Sequence, residues 1–469
     1  QKIQSTLIIT QEVNMKRSNE EITSALINIK KAEITPNDVE GEKNEKKSKN
    51  LLDANPTVFA YKEHLFRDTI EATFTYKDTG GKFNGKSLLE GLNIVGTEDV
   101  EIELEDLKKL KPKNGEENGH KLKLNLNVNQ VQPLITNTKT QDVALTLVPQ
   151  EFIRNELESS LVKIRYDGRI DQHVRKILKE NLKSTIKDEN IQETSNNYNF
   201  IGNRKKPLYI LKWLAKKSFS NKDGKSGDTA GYVFYQTSDS KGLKFNFKSI
   251  DSLFSQDAKA KFVYNETTDT QNNDRKIFKY SANNNLTANK KLRMGAYHTK
   301  LILFDPFNSE FQEIIQKADD TKKGTTLAAK NLPKLNKKFT EVPTRTTYVL
   351  KDTGTLPTGD VDEQLDLSSE EIFEPEKILN QAVRRYNQFS FLTCEIDVGL
   401  DLSLHVGDTV EIDTKSLNQQ SDGARDKMVS GKYLIVSLTH TFASKNVVTK
   451  LGLVRDSLGR KPKNSGMVT

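Results

Sequence analysis

The sequence predicts a mainly β chain: two antiparallel β-barrels with an α+β unit, a helix plus a hairpin, inserted between them. Three observations predict this. Short runs near both ends alternate apolar with polar residues, the period of a half-buried strand. In the middle the apolar period lengthens to three and four residues, the spacing of one helix face. The breaks between runs carry Gly, Asn, Asp and Pro, the residues of turns. The expected division is 1–150, an N-terminal barrel with charged loop insertions; 151–260, the α+β unit; 261–375, strands, a short helix and an extended linker; and 376–469, a helix leading into the C-terminal barrel.

The elements follow in order. Residues 3–13 (IQSTLIITQEV) form an expected first strand. Arg67–Tyr76 places Ile70, Ala72, Phe74 and Tyr76 on one face, and Val100–Leu104 is a short alternating run. Lys121–Val128 is the strictest case, with Leu122, Leu124, Leu126 and Val128 on one side and Lys and Asn on the other. Val143–Val148 closes the series. Two charged stretches, Thr35–Asn50 and Glu105–His120, have no face to bury and are expected as exposed loops.

Between Asp171 and Ile186, Val174, Ile177, Leu178, Leu182 and Ile186 share one helical face. Pro207 then opens a second helix, where proline suits the first turn, with Ile210, Leu211 and Leu214 as its buried stripe. The strands GYVFYQT and GLKFNFKS follow a Gly/Ser/Asp loop. KIFKY and MGAYHTKLILFDP are further expected strands, and Phe311, Ile314 and Ile315 suggest a short helix. Lys317–Thr340 is a Lys-rich linker, and Lys351–Glu376 is acidic and extended. Glu376–Phe389 carries Ile378, Leu379, Ala382, Val383 and Tyr386 at helical spacing. The last block, from Phe391 to Asp456, alternates throughout, as in a small barrel or sandwich.

Size and composition bound the function. At 469 residues the chain is long enough for two to four domains. Its hydrophobic share is 35%, below the usual ~45–50%. The cores are therefore modest, unless surface is buried against other subunits. The 72 basic and 64 acidic residues leave a net charge of only +8, without an aromatic-interleaved basic stripe, so a dedicated nucleic-acid face is not expected. A single cysteine rules out a disulfide framework and a cysteine metal cluster within the chain, and suits assembly in a reducing interior. Neither a membrane-spanning run nor a secretory leader is evident. The chain begins at Gln1 rather than Met, so part of the N-terminus is expected to be missing.

Motifs that could carry chemistry are weak. Asp223-Gly224-Lys225-Ser226 contains GKS, but a phosphate loop needs a glycine where Phe219 stands. None of His64, His120, His173, His298, His405 and His440 has metal-ligand spacing to another, and His440 is expected as a half-exposed strand residue. Cys394 is expected as a small buried hydrophobe. Carboxylates are abundant, yet no pair stands out as glycosidase-like. Asn265 and Asn285 begin N-x-T triplets without meaning in a non-secreted chain. His405-Val406-Gly407-Asp408-Thr409-Val410 is the best local motif, a Gly-Asp turn that starts a strand. No catalytic, cofactor-binding or metal-binding residue is assigned, and no cofactor is expected.

The order of these elements is more specific than any motif. A helix leads into a strand at Thr393-Cys394-Glu395-Ile396, then Leu404–Asp408, then Val410–Ile412, then Gly431–His440, then Val447–Arg455. This block resembles the last domain of central baseplate hub proteins of contractile-tailed bacteriophages. Pro207–Leu214, Gly231–Tyr235 and Leu243–Ile250 resemble the helix-plus-hairpin domain of such hubs. The resemblance implies tail-tube-like barrels and a homotrimer of the virion baseplate, assembled in the host cytoplasm. Its implied partners are the tail tube protein, the central spike protein, other baseplate proteins, and genomic DNA that passes without specific binding. Three chains of two barrels each would present six barrels to a hexameric tube and threefold symmetry to a trimeric spike. Barrel edges such as Lys121–Val128 and Lys432–Phe442 would then meet neighbouring subunits. Two other readings stand beside this non-enzymatic one: a carbohydrate- or receptor-binding multi-barrel tail protein, and a tail-associated glycan hydrolase with a catalytic carboxylate in the α+β unit.

Overall fold

A computed structural model describes residues 8–9, 27–37, 48–106, 120–136, 139–220, 229–264, 276–283, 287–317, 327–328, 335–369, 375–415, 426–443 and 446–458, except 82, 84, 186, 307, 353, 356–358 and 427. The chain is mainly β. The N-terminal half comprises β1 (Ile27–Thr35), β2 (Pro56–His64), β3 (Glu71–Asp78), β4 (Asp99–Asp106), β5 (Lys121–Thr136) and β6 (Gln141–Val148). Their ladders are antiparallel, in the order β1-β4-β5-β6-β3-β2. Alternation decides the inner face: Leu122, Leu124, Leu126 and Val128 of β5 are buried with Ala72, Phe74 and Tyr76 of β3. Outside, Lys31, Lys121 and Lys123 pair with Glu101, Glu103 and Glu105 across β1, β4 and β5, an outer face of alternating charge.

The α+β unit holds α1 (Ile170–Glu180), α2 (Pro207–Lys217) and a hairpin, β7 (Tyr232–Asp239) and β8 (Gly242–Ser249). Val174, Ile177, Leu178, Ile210, Leu211 and Leu214 form its own core with Phe234, Phe245 and Phe247. β9 (Ala260–Tyr264) and β10 (Ile277–Asn283) follow. Next come β11 (His298–Asp305), β12 (Glu310–Lys317) and β13 (Arg345–Leu350), which form a separate three-stranded sheet. Here the structure corrects an expectation. Phe311, Ile314 and Ile315 lie on strand β12, not on a helix. The short apolar run is ambiguous in period, and its eight-residue ladder to β11 settles it as a strand.

α3 (Val361–Ser369), a helix inside the Lys351–Glu376 stretch that was expected to be extended, and α4 (Pro375–Gln388) lead to β14 (Leu392–Gly399), β15 (Thr409–Thr414), β16 (Gly431–Ala443) and β17 (Asn446–Arg455). β16 pairs with β17, β17 with β14, and β14 with β10. On its other side β16 pairs with β15, which runs parallel to β9. A bridge between Val263 and Lys276 then brings β9 to the start of β10. The strands β9 and β10, from residues 260–283, thus belong to the C-terminal half. That half and the N-terminal one fuse edge to edge: β2 pairs antiparallel with β16, from Val58–Ala443 to His64–Ser437. One hydrophobic core runs through both.

Several expectations lie outside the described residues. They include most of 3–13, of which only Ile8–Ile9 is described, paired with Asn28 and Ile27. They also include most of both charged insertions and much of the Lys-rich linker at 317–340.

Candidate assembly surfaces and the buried joint

The joint between the halves carries a buried polar network. Phe59, Tyr61 and Glu63 of β2 point inward on one face, so a glutamate occupies a core position. Its side chain is fully buried, and a buried carboxylate persists only when its oxygens are satisfied. Glu63 Oε1 accepts from the Tyr61 hydroxyl at 2.5 Å and lies 3.0 Å from His405 Nδ1; Oε2 accepts from the Val406 N–H at 2.8 Å. Burial alone would push this carboxyl up, but His405, Tyr61 and Val406 more than offset it and hold it below the usual range. Tyr61 also reaches Ser238 of β7 at 2.8 Å, so one network joins both halves and the α+β unit.

His440 of β16 stacks on Tyr61, with ring centroids 5.9 Å apart, and meets Thr449 Oγ1 at 2.8 Å. It is fully buried, not half-exposed as alternation suggested. His440 lies on the inward face of β16 with Leu438 and Phe442, while Thr439 and Thr441 on the other face stay partly exposed. Burial pushes its imidazole down to about 4. The Gly-Asp turn sits beside this network. Gly407 has φ +90°, and a Cβ there would collide with the Tyr235 hydroxyl. Asp408 accepts from the His405 N–H at 2.8 Å and pairs with Lys259 at 2.7 Å, closing the turn.

A second buried cluster anchors α4. Arg385 donates to Asp456 at 2.7 Å and to Asp251 at 3.0 Å, and all three groups are nearly or fully removed from solvent. Burial disfavours the guanidinium charge, but the two carboxylates outweigh it and hold the group above its ordinary value. Tyr386 donates to the Tyr232 carbonyl. The C-terminal strand, the α+β unit and the lead-in helix are thereby locked together by groups far apart in sequence.

The residues weighed in sequence fall into structural places. Cys394 is buried on β14, and burial pushes its thiol up to about 12, far from a thiolate nucleophile. His173 lies against the Tyr198 carbonyl and His298 against that of Thr340. Asp223–Ser226, Asn265 and Asn285 lie outside the described residues. Among the described residues, no group of three His, Cys, Asp or Glu side chains could hold a metal ion. No described helix is long and apolar enough to cross a membrane.

One of the two expected contact edges is corrected. Lys432–Phe442 is not a free edge, because β16 is flanked by β17 on one side and by β15 and β2 on the other. Lys121–Leu126 pairs with β4 on one side and has no second ladder among the described residues, whereas Asn127 and Val128 also pair with β6. Sequence reasoning missed β2 itself and the Glu63–His405 pair, 342 residues apart. The only available signal was the alternation in PTVFAYKEH, masked by a glutamate on the buried face.

No family model matches the chain, and no curated protein matches it. Solved structures do. The 43 kDa tail protein of prophage MuSo2 from Shewanella oneidensis is 9% identical, over 91% of this chain and 98% of that one, with TM-score 0.47. The tail protein from Neisseria meningitidis MC58 is 8% identical, over 91% and 97%, with TM-score 0.45. Prophage tail protein gp18 from Listeria monocytogenes EGD-e is 12% identical, over 91% and 95%, with TM-score 0.42. All three are described as tail proteins.

Proposed function

We propose that this chain is a structural baseplate hub of a phage contractile tail, not an enzyme. As a homotrimer it joins the hexameric tail tube to the trimeric central spike and lines part of the DNA channel of the virion. One observation carries this reading: the β2–β16 ladder fuses two β halves into one sheet, so each chain holds two strand modules in a fixed relation. Three such chains present six modules around an axis, which reconciles sixfold and threefold partners. The buried ionisable groups support the same reading. Glu63, Arg385 and Asp456 are spent on joining segments rather than offered to a substrate. A lumen without a basic stripe suits DNA that must slide through without sticking.

The test is the stoichiometry of the purified chain, alone and with tube and spike proteins, by light scattering at assembly concentrations. A trimer is expected. A chain that stays monomeric in every mixture overturns the proposal.

A further inference from the structure

The β11–β12–β13 sheet shares no ladder with the main sheet. Its outer face leaves Phe311, Ile315, Tyr348 and Leu350 exposed, while Leu301 and Leu303 are buried on the face toward α4. It meets α4 through side chains that donate to carbonyls. Arg384 Nη1 donates to the Lys317 carbonyl at 2.6 Å, Asn387 Nδ2 to that of Met294 at 2.5 Å, and Gln388 Nε2 to that of Ala296 at 2.8 Å. The described apolar contact at this root is small: Ala296 and Tyr297 with Phe391, flanked by Leu292 and Leu335. The chain leaving β13 is pinned elsewhere. Asp352 accepts from Lys217 Nζ and from the Tyr198 hydroxyl of the α+β unit, both at 2.8 Å, and the Thr355 N–H donates to the Asn199 carbonyl at 2.9 Å. The sheet is thus a leaf, tethered on one side and resting on α4 on the other. Segments held by few apolar contacts are the ones that open locally.

Lys291, on the short helix Ala288–Arg293 that leads into β11, lies in the contact with α4. It is only 4% exposed. Its ammonium donates to the Ser390 carbonyl at 2.8 Å, just past the end of α4, and stands 4.8 Å from the centre of the Phe391 ring. Among the described residues no carboxylate pairs with it. The charged groups around it are mostly cationic: Lys290 and Arg293 on its own helix, Lys317 of β12, Arg384 of α4, and Arg345 of β13, which donates to the Met294 carbonyl at 3.2 Å. His298 of β11 is turned to the Thr340 carbonyl, and Lys337, Lys338 and Glu341 lie on the exposed segment after Leu335. The carboxylates that α4 reaches, Asp251 and Asp456, are held by Arg385. A buried cation without a counter-ion opposes its own burial. Burial, with Lys290 adding to it, pushes this amine down to about 8.

We propose that the β11–β12–β13 sheet opens from α4 as a unit, and that the Lys291 ammonium, buried only when the leaf is closed, limits how tightly it closes. An exposed lysine titrates near ~10.4. Between about 8 and ~10.4 the open leaf binds the proton and the closed leaf does not, so closure strengthens as pH rises through this window. Below it both states carry the proton, and the closed leaf bears the full cost of the buried charge. The leaf is therefore primed to part from α4 at neutral pH. This device lies within one chain and does not depend on the trimeric reading above.

The test is amide hydrogen exchange of the full-length chain at about pH 7 and about pH 9, corrected for the exchange of free amides. Residues 298–317 should exchange through more frequent openings than residues 431–455 of the C-terminal sheet. Their protection should rise roughly 10-fold between the two pH values, without a matching rise in 431–455. Lys291→Met carries no charge and should lose that rise. Lys291→Arg stays charged at both values and should also lose it, with exchange remaining fast. Equal protection of the two regions overturns the separate opening. A rise that is absent in the parent, or that persists in Lys291→Met, overturns the role of Lys291. Should Lys291→Met fail to fold, the parent series and Lys291→Arg decide by the same criteria.

Discussion

Two sheet surfaces in this chain meet their surroundings in opposite ways. The β2–β16 joint is complete within one chain: its ladder is continuous, and its buried side is fixed by Glu63, His405, Tyr61 and Ser238. The β11–β12–β13 sheet leaves an apolar face bare. The difference separates two tasks. A permanent joint can include buried polar groups, because each finds its partner once and thereafter fixes the register. The bare face has no such partners to find within the chain beyond the Lys300–Glu313 ion pair, and its apolar side chains stay few enough for solvent to tolerate.

Breaking the permanent side should be costly. Arg385→Leu leaves Asp251 and Asp456 buried without their cation, and removing one member of such a cluster typically costs ~3–5 kcal/mol. A large drop in the urea midpoint is expected for the isolated chain, whatever its oligomeric state. Glu63→Ala should come close behind. It strips His405, Tyr61 and the Val406 N–H of their acceptor, and a loss of roughly 3 kcal/mol is expected. If either variant unfolds within ~0.5 kcal/mol of the parent, the joint is not fixed by these groups.

The joint also makes stability depend on pH. His440 has a folded value of about 4, against ~6.5 for an unfolded histidine. Between these values the unfolded chain binds the proton and the folded chain does not. Stability is therefore full above about pH 6.5 and falls as pH drops toward 4, by up to ~3 kcal/mol from this group. Denaturation midpoints across that range should show the slope in the parent and lose this share of it in His440→Gln. An unchanged slope would place the pH dependence elsewhere.

Much of this fold was legible and the joint was not, for physical reasons. Lys121–Val128 alternates because one face of β5 is core and the other solvent. Pro207 and the Ile210–Leu214 stripe announce α2 because they meet local rules of helix start and amphipathicity. β2 stayed hidden because its buried face ends in Glu63, whose partners come from residues 405 and 406. A local period cannot reveal a charge that is satisfied from the far end of the chain. β12 reads as a helix in sequence because its outer face mixes Phe311 and Ile315 with Glu313 and Lys317, and its inner face is only partly covered, so no clean period of two survives.

A smaller effect probes the turn beside the joint. Gly407→Ala should cost about 1–3 kcal/mol, part from an L-residue at φ +90° and part from the collision with the Tyr235 hydroxyl. Pairing it with Tyr235→Phe should recover the second part only. Full recovery would mean that φ at residue 407 is unstrained; no recovery would mean that the hydroxyl is not the obstacle.

The smallest effect sharpens the contrast most. Tyr348 lies on the bare face and Tyr61 in the joint, yet both are strand tyrosines. Tyr348→Ser removes a ring that is largely in water, so stability measured under conditions where the chain is monomeric should change by less than ~0.5 kcal/mol. Tyr61→Ser in the same assay removes a buried ring and a donor to Glu63, and should cost ~3–5 kcal/mol. A substantial loss of monomer stability in Tyr348→Ser would mean that the face is already covered within a single chain, and the distinction between the finished joint and the unfinished sheet would fall.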